Sequence, residues 1–524
     1  MNWGGLVHRR RIGFDLFLLA YFLLALFTYK SYGITWDEWD WYISGEEYLK
    51  HFLHMVPAEQ DHNEIFSDEQ ASHNYLYPAL ARAFNHYLEA ENLHRFNMFF
   101  ALFAFWVLFE VLLDAFQNSW LALLGPLTLY LTLRFSGDIP ANPKDMPFAV
   151  LYLCSLAALY FYRRVPWNKL SQDFILGSLF GWTACVRVLG LTLLPVFLFF
   201  RLLDYYELKR SGSRLTFLNW AAEEGPHWGL LFIVSQFWMM ALWPYLGSNY
   251  FGNYPKIFTA SKNFSWDGGM LFMGNTIHAG QKLWYYLPGW FLVSMPLFAL
   301  AFFLFSHWVF LKTERPRIRR AYLIFAVPFF LNLGLYLVLK PVIYNGLRHY
   351  LFLVPLFCAL AAVGLAEFWN KAMPSLWKRG ILLLVALNVG SILGQFVQLF
   401  PYQYIYLNEL TGGVRGGALK FDTDYWGASL KEAAQWLQAH ELTDPKKNYQ
   451  VQTDATVWQE TYYFSSNVKG GGPQDVRDPD YRIALYYRPL ESRVVLTPSP
   501  EDQKRIIHVV EREGFPLAYV FKMK

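Results

Sequence analysis

The chain has 524 residues, of which 55% are apolar, 19% aromatic and only 16% charged, and its formal net charge is +4. Soluble domains carry about 25% charged residues, so the composition excludes an ordinary soluble protein, and it also excludes disordered, collagen-like, coiled-coil and disulfide-scaffold chains. So small a net charge gives no indication of nucleic-acid binding. Of the 86 charged residues, 31 lie within the 124 positions of residues 401–524, and the other 55 lie within residues 1–400. We therefore expect a membrane-embedded body followed by one soluble domain.

Eleven apolar runs have about the length that a helix needs to cross a hydrocarbon core of roughly 30 Å. They lie near residues 12–29, 96–116, 119–135, 146–162, 172–186, 188–203, 228–247, 286–311, 321–340, 350–369 and 380–400. The two runs around Cys185–Arg187 alternatively form one long broken helix. The first run follows three arginines, Arg9 to Arg11, and has no small-residue cleavage site. It is therefore predicted to be a retained signal anchor and not a cleaved signal peptide.

The positions of lysine and arginine predict the orientation, because these residues concentrate in cytoplasmic segments. With a cytoplasmic N-terminus, short inner segments carry 18 of the 30 basic residues before position 401, and longer outer loops carry the other 12. This predicts that residues 401–524 form a small α/β domain outside the membrane. The pattern within that domain predicts helices over 428–440 and 501–513, and strands over 482–487, 494–497 and 517–521.

An acidic pair follows the first span on the predicted outer side, within residues 35–40 (TWDEWD). Asp37 and Glu38 lie between tryptophans at a membrane surface, where apolar surroundings disfavour ionised carboxylates. The pair therefore suggests a functional site. An ordinary hydrated start of a loop is the alternative, since tryptophans alone are typical of the membrane interface.

A second polar cluster lies in the short outer loop of residues 136–147 (SGDIPANPKDMP). Three prolines restrict its backbone, and Asp138, Asn142, Lys144 and Asp145 stand at fixed points along it. This polar density favours a substrate site over a simple turn. A helix N-cap is the alternative role for Asp145.

Isolated cations mark two further outer positions. Arg187 lies among apolar residues at the end of the fifth run, and Arg348 and His349 follow Tyr344 between the ninth and tenth runs. An ionisable residue at membrane depth is a functional candidate, although a snorkelling arginine is the alternative. With Lys144, these side chains would form a cationic cluster at the outer leaflet, and such a cluster suits a phosphate.

Histidines are frequent in the first outer loop, residues 30–95. The pair His51 and His54, with Asp61 or His62, has a spacing that permits zinc binding, but no cysteine accompanies it and the spacing is generic. No metal and no other cofactor is predicted. A divalent ion held by Asp37, Glu38 and the loop histidines remains the alternative.

Taken in order, several segments resemble the GT-C membrane glycosyltransferases, in the branch of protein O-mannosyltransferases and bacterial lipid A aminoarabinose transferases. They are the acidic pair, residues 142–148 (NPKDMPF), 243–244 (WP), 348–352 (RHYLF), 401–408 (PYQYIYLN) and 424–427 (DYWG). Residues 73–78 (HNYLYP) also resemble that branch's HPPLYP segment, with two departures that weaken a role for His73. The resemblance spans about residues 30–430. It implies a GT-C-like transmembrane catalytic domain over residues 1–400 and a periplasmic α/β domain over 401–524.

The resemblance also implies a transferase that uses a polyprenyl-phosphate-linked sugar. By that resemblance, Asp37 acts as the base on an acceptor hydroxyl, with inversion at the anomeric carbon, and Glu38 orients the acceptor or a positive partner. The departing lipid phosphate needs cations in place before its charge develops, which suits Lys144, Arg187 and Arg348.

The interpretation is an inverting monosaccharide transferase in the bacterial inner membrane, acting on a periplasmic lipid, glycan or protein acceptor. One alternative is a transporter of lipid-linked glycans, but a transporter should carry charges on both sides of the membrane midplane, and here they gather at the outer ends. A second alternative is an O-antigen ligase or polymerase, which joins whole glycans. The acidic pair favours the monosaccharide transferase.

Overall fold

The computed structural model describes residues 11–52, 74, 76–84, 91–263, 266, 268–371, 374–453, 457–487 and 496–524. The described chain is mainly helical, with a small mixed sheet near its C-terminus. The helices before residue 250 are α1 (Ile12–Thr28), α2 (Trp36–Phe52), α3 (Leu76–Phe84), α4 (Asn92–Phe116), α5 (Ser119–Leu131), α6 (Leu133–Ala141), α7 (Asp145–Phe161), α8 (Lys169–Val186), α9 (Leu193–Arg210), α10 (Phe217–Leu242) and α11 (Pro244–Ser248). The later helices are α12 (Tyr250–Lys262), α13 (Tyr286–Ser294), α14 (Leu297–Lys312), α15 (Pro316–Leu339), α16 (Leu353–Asn370), α17 (Ser375–Gln398), α18 (Gly413–Gly417), α19 (Leu430–His440), α20 (Val457–Thr461) and α21 (Pro500–Arg505).

Membrane-spanning helices confirm that this is a membrane protein, but not the predicted count of eleven spans. Six helical segments in the described chain are long and apolar enough to cross a membrane, and the number rises to eight if two bent helix pairs are each one span. Helix α5 has 13 residues, which corresponds to only about 20 Å. Helices α8 and α10 are also not among these segments, and they carry Asp173 and Glu224 in their first halves. The lengths of the apolar runs at these positions predicted three spans.

The polar residues of α8 and α10 instead hold the two helices together near the end of the bundle that is predicted to be cytoplasmic. Asp173, which is fully buried, accepts from Arg163 at 2.8 Å and contacts His227 Nδ1 at 2.5 Å. Arg163 Nε also pairs with Glu224 at 3.4 Å. Buried charges that are paired in this way are tolerated inside a helix bundle, whereas unpaired ones are not.

The bend between α6 and α7, of 115°, places the loop of residues 142–144 at the end of the bundle that is predicted to face outward. Asn142 stabilises the bend, because its Oδ1 accepts from the backbone N–H groups of Lys144 at 3.2 Å and Asp145 at 2.8 Å. Every residue of α6 is buried, so the helix lies inside the protein and not against lipid. This position brings the loop close to α2.

The C-terminal sheet has five strands, β3 (Tyr449–Thr453), β4 (Val468–Gly471), β5 (Tyr481–Leu485), β6 (Ile506–Arg512) and β7 (Phe515–Lys522). Their order in the sheet is β4-β3-β5-β7-β6. Strand β3 is parallel to β4 and β5, while β7 is antiparallel to β5 and β6. A separate antiparallel hairpin is formed by β1 (Gly269–Phe272) and β2 (Asn275–His278).

The predicted α/β character of this region agrees with α19, β5 and β7, but the predicted helix over 501–513 is wrong. Helix α21 ends at Arg505, and the following residues form β6. The reason is the run of β-branched residues Ile506, Ile507, Val509 and Val510, which favours a strand that pairs with β7. Residues 494 and 495 of another predicted strand lie outside the described residues.

The segment of residues 401–427 connects the sheet to the helix bundle. Its large side chains Tyr402, Tyr404, Tyr406 and Trp426 are buried. Phe421 forms a β-bridge with Phe272 of the hairpin. The segment therefore packs against the end of the bundle where the predicted site residues lie.

Candidate active site

The start of α2 positions the acidic pair. The backbone N–H of Thr35 donates to Glu38 Oε2 at 2.6 Å, so the Glu38 side chain caps the start of α2. The Thr35 hydroxyl donates to the carbonyl of Ala141 at 3.0 Å, and the backbone N–H of Trp36 donates to the carbonyl of Trp426 at 3.2 Å. The first turn of α2 is thus attached both to α6 and to the C-terminal segment. Asp37 lies in this turn with its side chain 25% exposed.

Four charged residues from distant parts of the sequence form a continuous ion-pair chain. Arg348 pairs with Asp37 and also donates from Nε to Asp145 Oδ2 at 3.2 Å. The other oxygen of Asp145 pairs with Arg187. The side chains of Asp145 and Arg348 are 2% and 5% exposed, so this network is strongly shielded from water. We call it the Asp37–Arg187 chain.

Aromatic rings surround Arg348. Its guanidinium lies 4.4 Å from the ring of Trp426 and 5.5 Å from the ring of Tyr344. Tyr344 in turn stacks on Trp266 at 4.0 Å and contacts His349 edge-on at 4.5 Å. Burial lowers the pKa of Arg348 to about 10, so the side chain is still a cation at neutral pH. The rings fix its position without neutralising its charge.

Two other predicted residues of the 136–147 loop, Asn142 and Asp138, help to fix the Asp37–Arg187 chain. Asn142 Nδ2 donates to Asp145 Oδ2 at 3.2 Å. Asp138 is buried and accepts from the indole N–H of Trp426 at 2.9 Å, so it holds the ring that lies against Arg348. The ammonium of Lys144 lies 4.8 Å from the ring of Trp41 and is also buried. The structure thus brings Asp138, Asn142 and Asp145 together with Arg348.

Glu38 points away from the Asp37–Arg187 chain. Its Oε1 contacts His94 Nε2 at 2.9 Å, and His94 Nδ1 contacts the carbonyl of Tyr29 at 3.1 Å. Both Glu38 and His94 are buried. Glu38 therefore connects α2 to α4, and its predicted role in orienting an acceptor stays a prediction. Local sequence patterns gave no signal for this pair, because 56 positions separate its members.

A cleft of about 780 Å³ begins at Arg187. Its polar lining includes Arg187, Lys262 and His349, and its other walls are mainly apolar. The apolar lining comprises Val188, Leu189, Phe258, Leu335, Leu339, Pro341, Val342, Ile343 and Tyr350. A lining that combines cations with aliphatic side chains suits a phosphate joined to a long hydrocarbon chain. The sequence did not single out Lys262, which lies in the last turn of α12. Two exposed apolar side chains of that helix, Phe251 and Phe258, were the available indication.

Arg134 is a second residue that sequence reasoning missed. It is completely buried, donates from Nη1 to the carbonyl of Tyr404 at 2.5 Å, and lies 4.7 Å from the ring of Trp290 and 5.2 Å from that of Tyr425. Its Nη2 lies 2.3 Å from the position that a Cβ on Gly346 would take, which is too close for a side chain there. Gly346 also has φ +70°, a conformation that favours glycine. Arg134 thus supports the turn that leads into Arg348.

Two predictions on the first loop cannot be compared with the structure. His73, His54, Asp61 and His62 lie outside the described residues. Within the described ranges, no group of three or more His, Cys, Asp or Glu side chains has an arrangement that could hold a metal ion.

Comparison with solved structures identifies the fold. ArnT from Cupriavidus metallidurans, in a crystal structure bound to undecaprenyl phosphate, aligns over 97% of this chain and 98% of its own, with a TM-score of 0.52 and 12% sequence identity. Arabinofuranosyltransferase AftD from Mycobacteria aligns over 97% of this chain but 40% of its own, with a TM-score of 0.43 and 10% identity. No protein-family profile matches the chain, and no curated protein is similar to it in sequence. The likeness to ArnT shows that the chain has an ArnT-like fold, in agreement with the fold expected from the order of sequence motifs.

Proposed function

We propose that this protein is an inverting glycosyltransferase that moves a monosaccharide from a polyprenyl-phosphate donor to a hydroxyl group of an acceptor. One observation carries the proposal: the Asp37–Arg187 chain joins a partly exposed carboxylate to an arginine that lines a cleft with apolar walls. A base and a phosphate-binding group are thus parts of one network. The reaction needs both groups close together.

The cleft beside Arg187 suits the donor. Arg187, Lys262 and His349 would contact the phosphate, and the aliphatic walls formed by residues of α15 and the following loop would contact the first isoprene units. Arginine is well suited to phosphate, because its planar group can donate two parallel hydrogen bonds. ArnT, which shares the fold, was crystallised with undecaprenyl phosphate, and this supports a polyprenyl phosphate as partner.

Asp37 is the proposed base. The acceptor hydroxyl donates its proton to Asp37 while its oxygen forms a bond to the anomeric carbon. The bond between that carbon and the phosphate oxygen breaks, and its electron pair stays on the phosphate. Arg187 and Arg348 then stabilise the charge that develops on the leaving group. Since base and leaving phosphate lie on opposite faces of the sugar, the configuration at the anomeric carbon inverts.

Asp145 has a positioning role in this proposal. It pairs with Arg187 and Arg348 at once and keeps both guanidinium groups at the cleft. Asn142 holds Asp145, and Asp138 holds Trp426 against Arg348. Groups fixed in this way need little reorganisation when charge develops.

The predicted surroundings complete the proposal. The acceptor is a lipid, glycan or protein on the periplasmic side of a bacterial inner membrane, and the carrier lipid in a bacterial host is undecaprenyl phosphate. The C-terminal α/β region would border the acceptor entrance, because Trp36 at the start of α2 donates to the carbonyl of Trp426.

Mass spectrometry of lipids that co-purify with the protein tests this function. We expect a polyprenyl-phosphate monosaccharide to accumulate on Asp37→Asn, because the donor binds and is not consumed. Asp114→Asn is the matched control, since Asp114 also pairs with an arginine, Arg164 at 3.0 Å, but at the opposite end of the bundle. A lipid-linked oligosaccharide in place of a monosaccharide would favour a ligase or a transporter. The absence of any isoprenoid lipid on both proteins would contradict the proposal.

A further inference from the structure

A second cleft lies at the opposite end of the helix bundle, which the lysine and arginine pattern predicts to be cytoplasmic. It is an open cleft of about 830 Å³ between the end of α14, the residues just before α15 and the end of α16. Trp308, Lys312, Arg315, Glu367 and Lys371 are among its lining residues. The proposed glycosyl transfer does not use this cleft.

The cations of this cleft are only partly neutralised. Arg315 pairs with Glu367, whose side chain is 12% exposed. Lys371 lies with its ammonium 3.9 Å from the ring of Trp308. Within the part of the chain that the structure describes, neither Lys312 nor Lys371 forms an ion pair with a carboxylate. Both ammonium groups are therefore available to an anion.

The neighbouring sequence strengthens the positive potential. Residues 312–320 and 371–379 together hold eight lysines and arginines and one acidic residue, Glu314, which also lines the cleft. Basic clusters of this size next to a membrane attract anionic lipid headgroups, and basic pockets between helices bind them specifically.

A lipid-facing apolar stripe runs from the cleft along α14. Leu304, Trp308 and Leu311 follow at helical spacing and are 68%, 42% and 76% exposed. Tryptophan is typical of the level at which headgroup and hydrocarbon meet. An acyl chain lying along this stripe would place its headgroup phosphate beside Lys312 and Lys371. A free anion would gain nothing from the stripe.

We propose that this cleft is a binding site for an anionic phospholipid with two phosphates, one beside Lys312 and one beside Lys371, and with one acyl chain packed along α14. A diphosphatidylglycerol such as cardiolipin is the best fit, because its two phosphates match the two unpaired ammonium groups. The site is independent of the sugar-transfer site at the other end of the bundle.

Native mass spectrometry of the full-length protein in detergent tests the site, with cardiolipin and phosphatidylcholine as probes. The double variant Lys312→Gln/Lys371→Gln should bind cardiolipin about 30-fold more weakly than the wild type, while phosphatidylcholine binding stays the same. The matched control is Lys209→Gln/Arg210→Gln, which removes two exposed positive charges from the end of α9 and should keep cardiolipin binding.

Three results would overturn the assignment. One is equal cardiolipin binding by both double variants and the wild type. A second is equal loss in both double variants, which would mean that general charge and not the cleft attracts the lipid. A third is displacement of cardiolipin by millimolar inorganic phosphate, which would indicate a site for a free anion. If the double variant did not fold, the two single variants would replace it, each with an expected loss of about fivefold.

Discussion

Arg348 donates from Nε to Asp145 at 3.2 Å, although 203 positions separate the two residues in the sequence. Because Arg348 also pairs with Asp37, the proposed base and the proposed phosphate site share one electrostatic network. A donor phosphate that attracts Arg348 would weaken its pair with Asp37. The carboxylate would then become a better base when the donor is bound, since a nearby cation lowers the proton affinity of a carboxylate.

Arg187→Gln should weaken donor binding more than it slows the chemical step. Arg187 lines the cleft and its side chain is 14% exposed, so it can reach a ligand. Loss of a charged hydrogen bond to phosphate should raise the KM for the donor about tenfold or more, and Arg187→Lys should restore part of it. Steady-state kinetics with a synthetic polyprenyl-phosphate sugar would measure both constants.

Arg164→Gln is the control for this experiment, because Arg164 also pairs with an aspartate, at the other end of the bundle. It should leave the donor KM unchanged. A wild-type KM for Arg187→Gln would remove Arg187 from the proposed phosphate site.

Asp145→Asn should destabilise the protein as well as inactivate it. The carboxylate is 2% exposed and neutralises two arginines, so its loss leaves two shielded cations with one carboxylate, Asp37. Breaking a buried ion pair by removing one partner costs about 3–5 kcal/mol. Thermal unfolding in detergent would show a lower Tm than for the wild type. A Tm equal to that of Asp114→Asn would mean that the network contributes nothing special to stability.

The charged residues of the site could be predicted from the sequence because charged residues are rare beside apolar runs. Asp37, Asp145, Arg187 and Arg348 are ionisable residues beside apolar runs, and such residues must have partners. The sequence could not say which partner belongs to which, because each pair is formed across the fold. The same applies to Asp138 and Trp426, whose contact joins α6 to a segment 288 positions later.

Residues without an unusual local context were missed. Lys262 ends an amphipathic helix, where a lysine is ordinary, and Arg134 follows an apolar run in which it resembles any snorkelling residue. Lys262 has its role because the fold places it in the same cleft as Arg187, and Arg134 has its role because the fold places it against Gly346. The overestimate of spans has a similar origin, since Asp173 is acceptable in α8 only because Arg163 and His227 contact it.

Gly346→Ala should reduce transfer activity at least about tenfold without unfolding the bundle. The substitution places a Cβ against Arg134 and strains a residue with φ +70°, so the turn before Arg348 must move. A displacement of about 1 Å at a site residue is enough to slow catalysis strongly.

Gly334→Ala is the control, because that glycine lies in α15 with no atom near an added Cβ. Helix propensity predicts a neutral or stabilising effect there. Equal activity of both variants would contradict the role of the Arg134–Gly346 contact.

Asp422→Asn should change how stability depends on pH. Burial raises the pKa of Asp422 to about 7 from its ordinary value near 4, although the backbone N–H of Leu271 donates to it at 2.6 Å. Between these two values the folded protein binds a proton at Asp422 that the unfolded chain does not. The contribution of this group to stability is therefore full below about pH 4 and falls as the pH rises toward 7.

The amide of Asp422→Asn resembles the protonated acid and does not titrate. The variant should match the wild type at about pH 4 and be more stable at about pH 8, by at most about 4 kcal/mol. Thermal unfolding at both pH values would measure the difference, with the exposed Asp444→Asn as control. A difference between variant and wild type that does not grow with pH would show that Asp422 is ionised in the folded protein throughout this range.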